Sequence, residues 1–504
     1  MQNKNKPTPK EKAMPEDNNK NEASRETKPV PEEKTSVTEH SITINGKVLE
    51  YTVTAGTMLL KAEDEKEGEK PKATIFYIAY QLKTDDSPAK RPLTFSFNGG
   101  PGSSSVWMHL GMLGPKRVRL DDEGMPLPPP YQLLENEYTL LDKTDLVFID
   151  PVSTGYSRSV PGEEAKQFHT DKTDIESVGD FIHLFTTRNL RWASPIFLIG
   201  ESYGTTRAAG LSGYLGEKHG LYLNGIMLIS SILNFVTARF DAGNDLPYIL
   251  FLPTYAATAR YHQKLDSEQL ARPLNEFLSE VEQFAANDYT LALMKGAKVT
   301  AEERARIIDK LHTYTGLSKD YIDRTDLRIN IHRFCKELRR DEGLTVGRID
   351  SRYTGYDRDA AGEYPERDPS LSATGGAYSA TFKDYVRSEL DFAMDLPYNI
   401  LTNLFQNWKY DRWQNQYVNM AEVLRQAMVT NPAMKIFVAN GFYDLATPYF
   451  ATQYTFNHLG IPAALQDNIS MAYYEAGHMM YVHVPSLKKI KNDLANFVDE
   501  ATRA

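Results

Sequence analysis

The sequence predicts an α/β protein with a mostly parallel central sheet, helices on both faces and an inserted, mainly helical cap. Three observations carry the prediction. Short, nearly continuous apolar runs recur at Leu93–Phe97, Leu146–Ile149, Pro195–Ile199, Gly225–Ile229 and Met434–Val438. Such runs fit strands buried on both faces, as in a parallel sheet covered by helices. Helix-compatible stretches lie between several of them, the alternation that α/β architecture requires. The last two runs are about 200 residues apart, too far for a single crossover connection. Residues 240–430 therefore read as the cap insertion, and residues 37–239 and 431–504 as the two parts of the core.

Taken in chain order, residues 1–36 are mostly Lys, Glu, Asn, Pro, Thr and Ser, with no aromatic residue. Such a segment buries too little apolar surface to offset its ordering entropy and is predicted to be a disordered tail. It lacks the apolar core of a signal peptide. The protein is then either cytoplasmic or an exported product, periplasmic or surface-tethered, whose signal has been removed; the polar tail favours export. Ser41–Ile44 and Tyr51–Thr54 alternate at the strand period, Thr74–Leu82 reads as a longer strand, and the charged stretch Lys61–Lys72 as a solvated loop. Within the insertion, Ser267–Ala286 and Thr300–His312 have helical patterns, while Gly347–Gly376 is a loop rich in Gly, Asp and Pro. Ile469–Tyr474 is the last predicted strand. No internal repeat is visible.

Composition narrows the function. At 504 residues, 41% hydrophobic and 25% charged, the chain is ordinary globular protein, which excludes a wholly disordered, collagen-like or coiled-coil molecule. Lys plus Arg number 57 against 67 Asp plus Glu, a net charge of −10, so the global electrostatic footprint of a nucleic-acid binder is missing. No apolar run approaches the ~20 residues of a membrane helix. The single cysteine, Cys335, excludes an intramolecular disulfide and reads as a structural thiol on a helix. Asp357–Asp368 has the outline of a calcium loop without its ligand pattern, and reads as a turn-rich loop. No metal or organic cofactor is expected. The basic run His332–Arg340 reads as a solvated helix face, and Trp408 and Trp413 as cap packing.

The chemistry is concentrated in three places. Gly200-Glu201-Ser202-Tyr203-Gly204 lies between a predicted strand and the helix-compatible Thr205–Lys218, the context of a nucleophile elbow. A serine hydroxyl needs a base, and the base an orienting acid. Asp444 follows the predicted strand Met434–Asn440, and His478 follows Ile469–Tyr474, in the chain order expected of this elbow. A turn-forming Asp and a packed loop His are the plainer readings of each alone. Asn98-Gly99-Gly100-Pro101-Gly102 follows another strand, and its backbone can approach a ligand closely. The N–H groups of Gly100 and Tyr203 are the candidate oxyanion donors.

With these residues in view, the sequence resembles the serine carboxypeptidase family of the α/β-hydrolase fold, in particular its bacterial members. The matching stretches are NGGPGSSSVW at 98–107, DPVSTGYSRS at 150–159, GESYGT at 200–205, NGFYD at 440–444 and AGHMM at 476–480. The resemblance implies Ser202, Asp444 and His478 as the triad, Gly100 and Tyr203 as the oxyanion hole, and Asn98, Gly99 and Glu201 as binders of a peptide substrate's C-terminal carboxylate. It implies removal of C-terminal residues from peptides. Three departures stand out: Ser103 replaces a frequent Cys, Met112 stands where many members carry a second Glu, and Glu475 opens the histidine loop where many have Gly. Glu475 is either a replacement acid or a solvated loop glutamate. Losing one of two carboxyls that share a proton weakens the case for carboxypeptidase preference and for an acidic optimum. The rival readings are an oligopeptidase or aminopeptidase, an esterase, an acyltransferase and, from another class, a non-catalytic binding protein. A homodimer is compatible with the sequence.

Overall fold

A computed structural model of the chain describes residues 30–64, 68–85 and 87–503. The sheet begins with an antiparallel meander of β1 (Thr35–Ile44), β2 (Lys47–Asp64) and β3 (Gly68–Leu82). β4 (Leu93–Phe97) comes next, and β5 (Lys116–Val118) and β6 (Leu133–Glu135) form a small separate ribbon. β7 (Asp145–Ile149) joins the halves, pairing antiparallel with β3 and parallel with β4, while the two-residue β8 (Arg158–Ser159) pairs with β3. β9 (Ile196–Ser202) and β10 (Gly225–Ser231) follow. A second ribbon, β11 (Leu344–Val346) and β12 (Thr354–Tyr356), lies in the insertion, before β13 (Lys435–Gly441) and β14 (Ile469–Tyr474) complete the sheet. The order is β1-β2-β3-β7-β4-β9-β10-β13-β14, parallel from β7 onward.

Side-chain alternation explains why the runs are apolar throughout. Ile196 and Leu198 of β9, Ile226 and Leu228 of β10, and Ile436 and Val438 of β13 join one core cluster. Their neighbours Phe197, Ile199, Met227, Ile229, Phe437 and Ala439 join the other. Successive side chains point to opposite faces, so both sets must be apolar once both faces are covered. Helices Asp171–Arg188, Tyr203–His219 and Ala421–Thr430 cover one face. Helices Pro369–Ser388 and Val484–Ala501 cover the other. Residues 246–346 form a third cluster, which also takes in Tyr443, Leu445 and Tyr449 from the core.

The structure differs from the sequence expectations in places. β2 and β3 run through most of the predicted loop Lys61–Lys72; residues 65–67 of that loop lie outside the described residues, as do residues 1–29 of the predicted tail. β1 starts at Thr35, inside the tail boundary, because Thr35 and Ser36 pair with Gly56 and Ala55. The helix predicted over Ser267–Ala286 is broken, with helices at Ser267–Ala271 and Leu274–Phe284. Pro273 between them lacks the N–H a continuous helix would use. Gly347–Gly376 holds β12 and the start of helix Pro369–Ser388, which Asp368 caps by accepting from the Ser370 N–H. Gly375 and Gly376 are poor helix formers, and tertiary packing against Trp107 and Tyr131 overrides that preference. Helix Ile331–Glu337 carries Cys335, fully buried, with its thiol pKa pushed up by burial. Among the described residues no helix is long and apolar enough to cross a membrane.

Candidate active site

Ser202 is the last residue of β9 and stands directly before helix Tyr203–His219, at φ 60° and ψ −129°. Few non-glycine residues adopt a positive φ, and the turn holds only because its surroundings determine it. Gly200 and Gly204 make it sterically possible. A Cβ on Gly200 would lie 2.2 Å from the Gly204 carbonyl oxygen, and one on Gly204 2.7 Å from that of Phe97. Asp444 comes just after β13 and His478 just after β14. Because β9, β10, β13 and β14 are consecutive parallel strands, all three residues lie along one sheet edge, at the strands' carboxyl ends.

His478 Nδ1 lies 2.8 Å from Asp444 Oδ2, and both side chains are buried. Asp444 is held in turn. Its Oδ1 accepts from the N–H groups of Ala446 (2.8 Å) and Thr447 (3.0 Å), and its Oδ2 from the Thr447 hydroxyl at 2.7 Å. The Nδ1–H donated to Asp444 leaves Nε2 free to act as a base. Burial pushes the imidazole pKa down, but the charge and hydrogen bond of Asp444, with help from Glu201, leave it raised. Sequence reasoning missed Thr447, although a hydroxyl three residues after an Asp is a local signal for such a turn.

β4 neighbours β9, which brings the Asn98–Gly102 loop against the elbow. A Cβ on Gly99 would lie 2.4 Å from the backbone nitrogen of Tyr203, so only glycine fits there. Gly100, next to it, has φ 105°, again a glycine conformation. Arg207 anchors the loop by donating to the Asn98 carbonyl oxygen at 2.7 Å. Its guanidinium is buried and pairs with Asp174 through bonds of 2.8 and 3.1 Å. From the insertion, Trp408 Nε1 donates to the Tyr203 hydroxyl at 3.1 Å. Ser103 accepts a bond from Trp107 Nε1 at 2.9 Å.

Asn98 and Glu201 are both buried and close enough to interact. Burial pushes the Glu201 carboxyl up to about 7, against the opposing pull of His478, Tyr481 and Asn98. Tyr481 donates its hydroxyl to Glu201 Oε2 at 2.6 Å. Met112 is buried where the second Glu would fall, and Glu475 is exposed, which favours its solvated reading. Asp357 takes a bond from Lys336 Nζ at 2.7 Å, and among the described residues no acidic or His cluster is grouped to hold a metal ion.

A segment of the insertion that carries no recognisable motif grips both predicted triad loops. His478 N–H donates to the Ile349 carbonyl (2.7 Å) and Gly477 N–H to Asp350 Oδ2 (3.1 Å). Leu445 N–H donates to the Arg348 carbonyl at 3.1 Å, and the N–H and hydroxyl of Ser351 both donate to the Tyr443 carbonyl at 3.0 Å. Asp350 is buried and paired with Arg352 Nη2 at 2.7 Å.

The chain is similar to known proteins over most of its length. Residues 65–484 match the family described as serine carboxypeptidase. "Serine carboxypeptidase-like 8" of Arabidopsis thaliana is 23% identical over 216 residues, 41% of this chain and 45% of the relative. The pheromone-processing carboxypeptidase KEX1 of Saccharomyces cerevisiae is 31% identical over 159 residues, 30% of this chain and 20% of the relative. The chain thus spans less than half the length of either relative. The crystal structure of the yeast prohormone-processing carboxypeptidase KEX1(delta)p superposes with a TM-score of 0.56 at 17% identity, covering 89% of this chain and 91% of the other. The fold is that of the α/β-hydrolases.

Proposed function

Because the chain belongs to the serine carboxypeptidase family, we propose that it is a serine carboxypeptidase, releasing C-terminal residues from peptides through Ser202, His478 and Asp444. The observation that carries the reading is the buried His478–Asp444 hydrogen bond on the same sheet edge as the strained Ser202 elbow. Ser202 Oγ attacks the scissile carbonyl carbon while His478 Nε2 takes its proton. The tetrahedral oxyanion is received by the N–H groups of Gly100 and Tyr203; losing one such donor typically costs about 2.7–4 kcal/mol of barrier. His478 returns the proton to the leaving amine, the C–N bond breaks, and the acyl-enzyme remains. Water then attacks with His478 again as base, releasing the shortened peptide and restoring Ser202. Asp444 holds the imidazole tautomer and stabilises its protonated form. Asn98, Gly99 and Glu201 receive the substrate's terminal carboxylate. An exported location is proposed on the polar composition of residues 1–36 alone.

The test is a digest of one peptide free at both ends, N-blocked, or C-amidated. Stepwise C-terminal loss from the first two, failing on the amide, is the expected result. Ser202→Ala should lose fluorophosphonate labelling and on the order of 10⁶-fold in kcat. N-terminal loss or internal cuts would replace this reading with aminopeptidase or oligopeptidase action. Inert peptides with an active serine would point to ester substrates, and failure of the native protein to label would leave a binding protein.

A further inference from the structure

We propose that Tyr481 is a positioning residue for recognition of the C-terminal carboxylate: its hydroxyl orients Glu201 so that Glu201 and Asn98 present two hydrogen-bond donors to the substrate. The inference deepens the carboxypeptidase reading and rests on it. Three observations support it.

First, Tyr481 is built into the place beside the absent second acid. It lies three residues after His478, in the short helix Met480–Val482, and is fully buried. Its ring packs on Gly111, the residue before Met112; a Cβ there would lie 2.4 Å from Tyr481 Cε2. A glycine at 111 is thus what admits the aromatic ring. Second, the phenol is committed to donating. Burial and the Glu201 charge raise its pKa well above the ordinary value, so it stays protonated while its O–H points at Glu201 Oε2. With Oε2 occupied as an acceptor, a protonated Glu201 carries its hydrogen on Oε1. Third, Asn98 has a donor to spare. Its Oδ1 accepts from the Met108 N–H at 3.2 Å, which fixes the amide orientation. Its Nδ2 is buried with no well-formed hydrogen bond among the described residues, although the amide is close enough to lower the pKa values of Glu201 and Tyr481. A buried donor left without a partner is costly, and a bound carboxylate would satisfy it.

The groups facing Glu201 are His478 and Asp444 from the triad loops, Tyr481, and Tyr378 from helix Pro369–Ser388. None of these groups is an Arg or Lys; Arg117 acts on Tyr378 and lines one cavity with Gly111, Tyr378 and Tyr481. Donation at Glu201 itself comes from neutral groups, and an oriented Glu201 acid is a donor only while it holds its proton. A phenol supports that arrangement without adding a second negative charge.

The experiment compares an N-blocked dipeptide, whose leaving group bears a carboxylate, with an N-acyl amino-acid alkyl ester, whose leaving group bears none. Tyr481→Phe keeps the ring on Gly111 and removes the hydroxyl. It should lower kcat/KM on the dipeptide about tenfold or more, mainly through KM. Ester hydrolysis and the fluorophosphonate labelling rate, read on the alkaline plateau where His478 is neutral, should stay unchanged. The alkaline limb on the dipeptide should move to higher pH, because a donor that stabilises the Glu201 anion has gone. In Glu201→Gln, whose amide donates at every pH, that limb should vanish. Equal losses on both substrates would mean that Tyr481 only packs, and an unchanged dipeptide KM and limb would also overturn the proposal. If the native enzyme gains nothing from the free carboxylate, the carboxypeptidase reading itself falls, and this inference with it.

Discussion

Ser202, His478 and Glu201 are each set by their immediate surroundings. Ser202 holds a positive φ that its chemistry does not need but its exposure at the sheet edge does. His478 and Glu201 are buried ionisable neighbours with opposite demands. The imidazole must be neutral to accept a proton, and its pKa is raised, so activity should fall as pH drops through that raised value. Glu201 must be protonated to donate to a carboxylate, and its pKa is about 7, so binding should weaken as pH rises past it. On a free-acid peptide, kcat/KM should therefore be a narrow bell. On an ester without the carboxylate only the acidic limb should remain. The two limbs belong to the coupled pair rather than to either residue alone. Stopped-time assays of both substrates across pH check this; an alkaline limb common to both would move the effect from carboxylate binding to the triad.

At the scale of elements, strand ends and loops carry the site. The elbow, the Asn98–Gly102 loop and the two proposed triad loops follow strands β9, β4, β13 and β14 of one sheet, with β10 between β9 and β13. What joins them is residues 348–351, which bond to the backbone on both sides of Asp444 and to Gly477 and His478. Gly477 is tied closely to this bracket: a Cβ on it would lie 2.4 Å from Asp350 Cβ. Asp350→Asn leaves the buried Arg352 charge without its counter-ion. Breaking such a pair costs about 3–5 kcal/mol, which urea denaturation would measure. If the bracket also positions His478, kcat should fall with KM little changed. A loss of stability with kcat intact would restrict Asp350 to a structural role.

For the whole molecule, the insertion and the core share hydrophobic contacts at the site. Tyr443 and Leu445, either side of Asp444, belong to the same cluster as Phe277, Leu311 and Phe334 of the insertion. Helix Pro369–Ser388 meets the sheet through the hydroxyl bond between its Tyr385 and Tyr80 of β3, while helix Ala421–Thr430 packs on helix Tyr203–His219 and shares the sheet's core cluster. Opening the insertion should then dismantle the Asp444 loop, and the two should melt together. Cys335 reports on this, being fully buried in the insertion's cluster with a thiol pKa pushed up by burial. Loss of activity, loss of far-ultraviolet ellipticity and exposure of Cys335 to a thiol reagent should share one midpoint on heating. Thiol exposure at lower temperature would show that the insertion opens by itself.

The sequence by itself determined the layered architecture and the candidate residues of the site. Apolar runs report burial on both sheet faces; the candidates Ser202 and Asp444 were legible because each follows such a run, and His478 because it follows the predicted strand Ile469–Tyr474, in the chain order expected of the elbow. The Asn98–Gly102 loop was legible as backbone open to close approach by a ligand, although not that Gly99 lies against the Tyr203 nitrogen. The insertion's internal breaks were less legible, because Pro273 lies in an otherwise helical pattern and Gly375–Gly376 in an otherwise loop-like one. Only the tertiary structure decided that Tyr481 stands against Glu201, 280 residues away, and that Asp350 meets Gly477, 127 residues on. Local periodicity reports which face of an element is buried. It carries no information about which distant polar atom will fill the last hydrogen-bonding position, because that depends on how separately formed elements come to rest against one another.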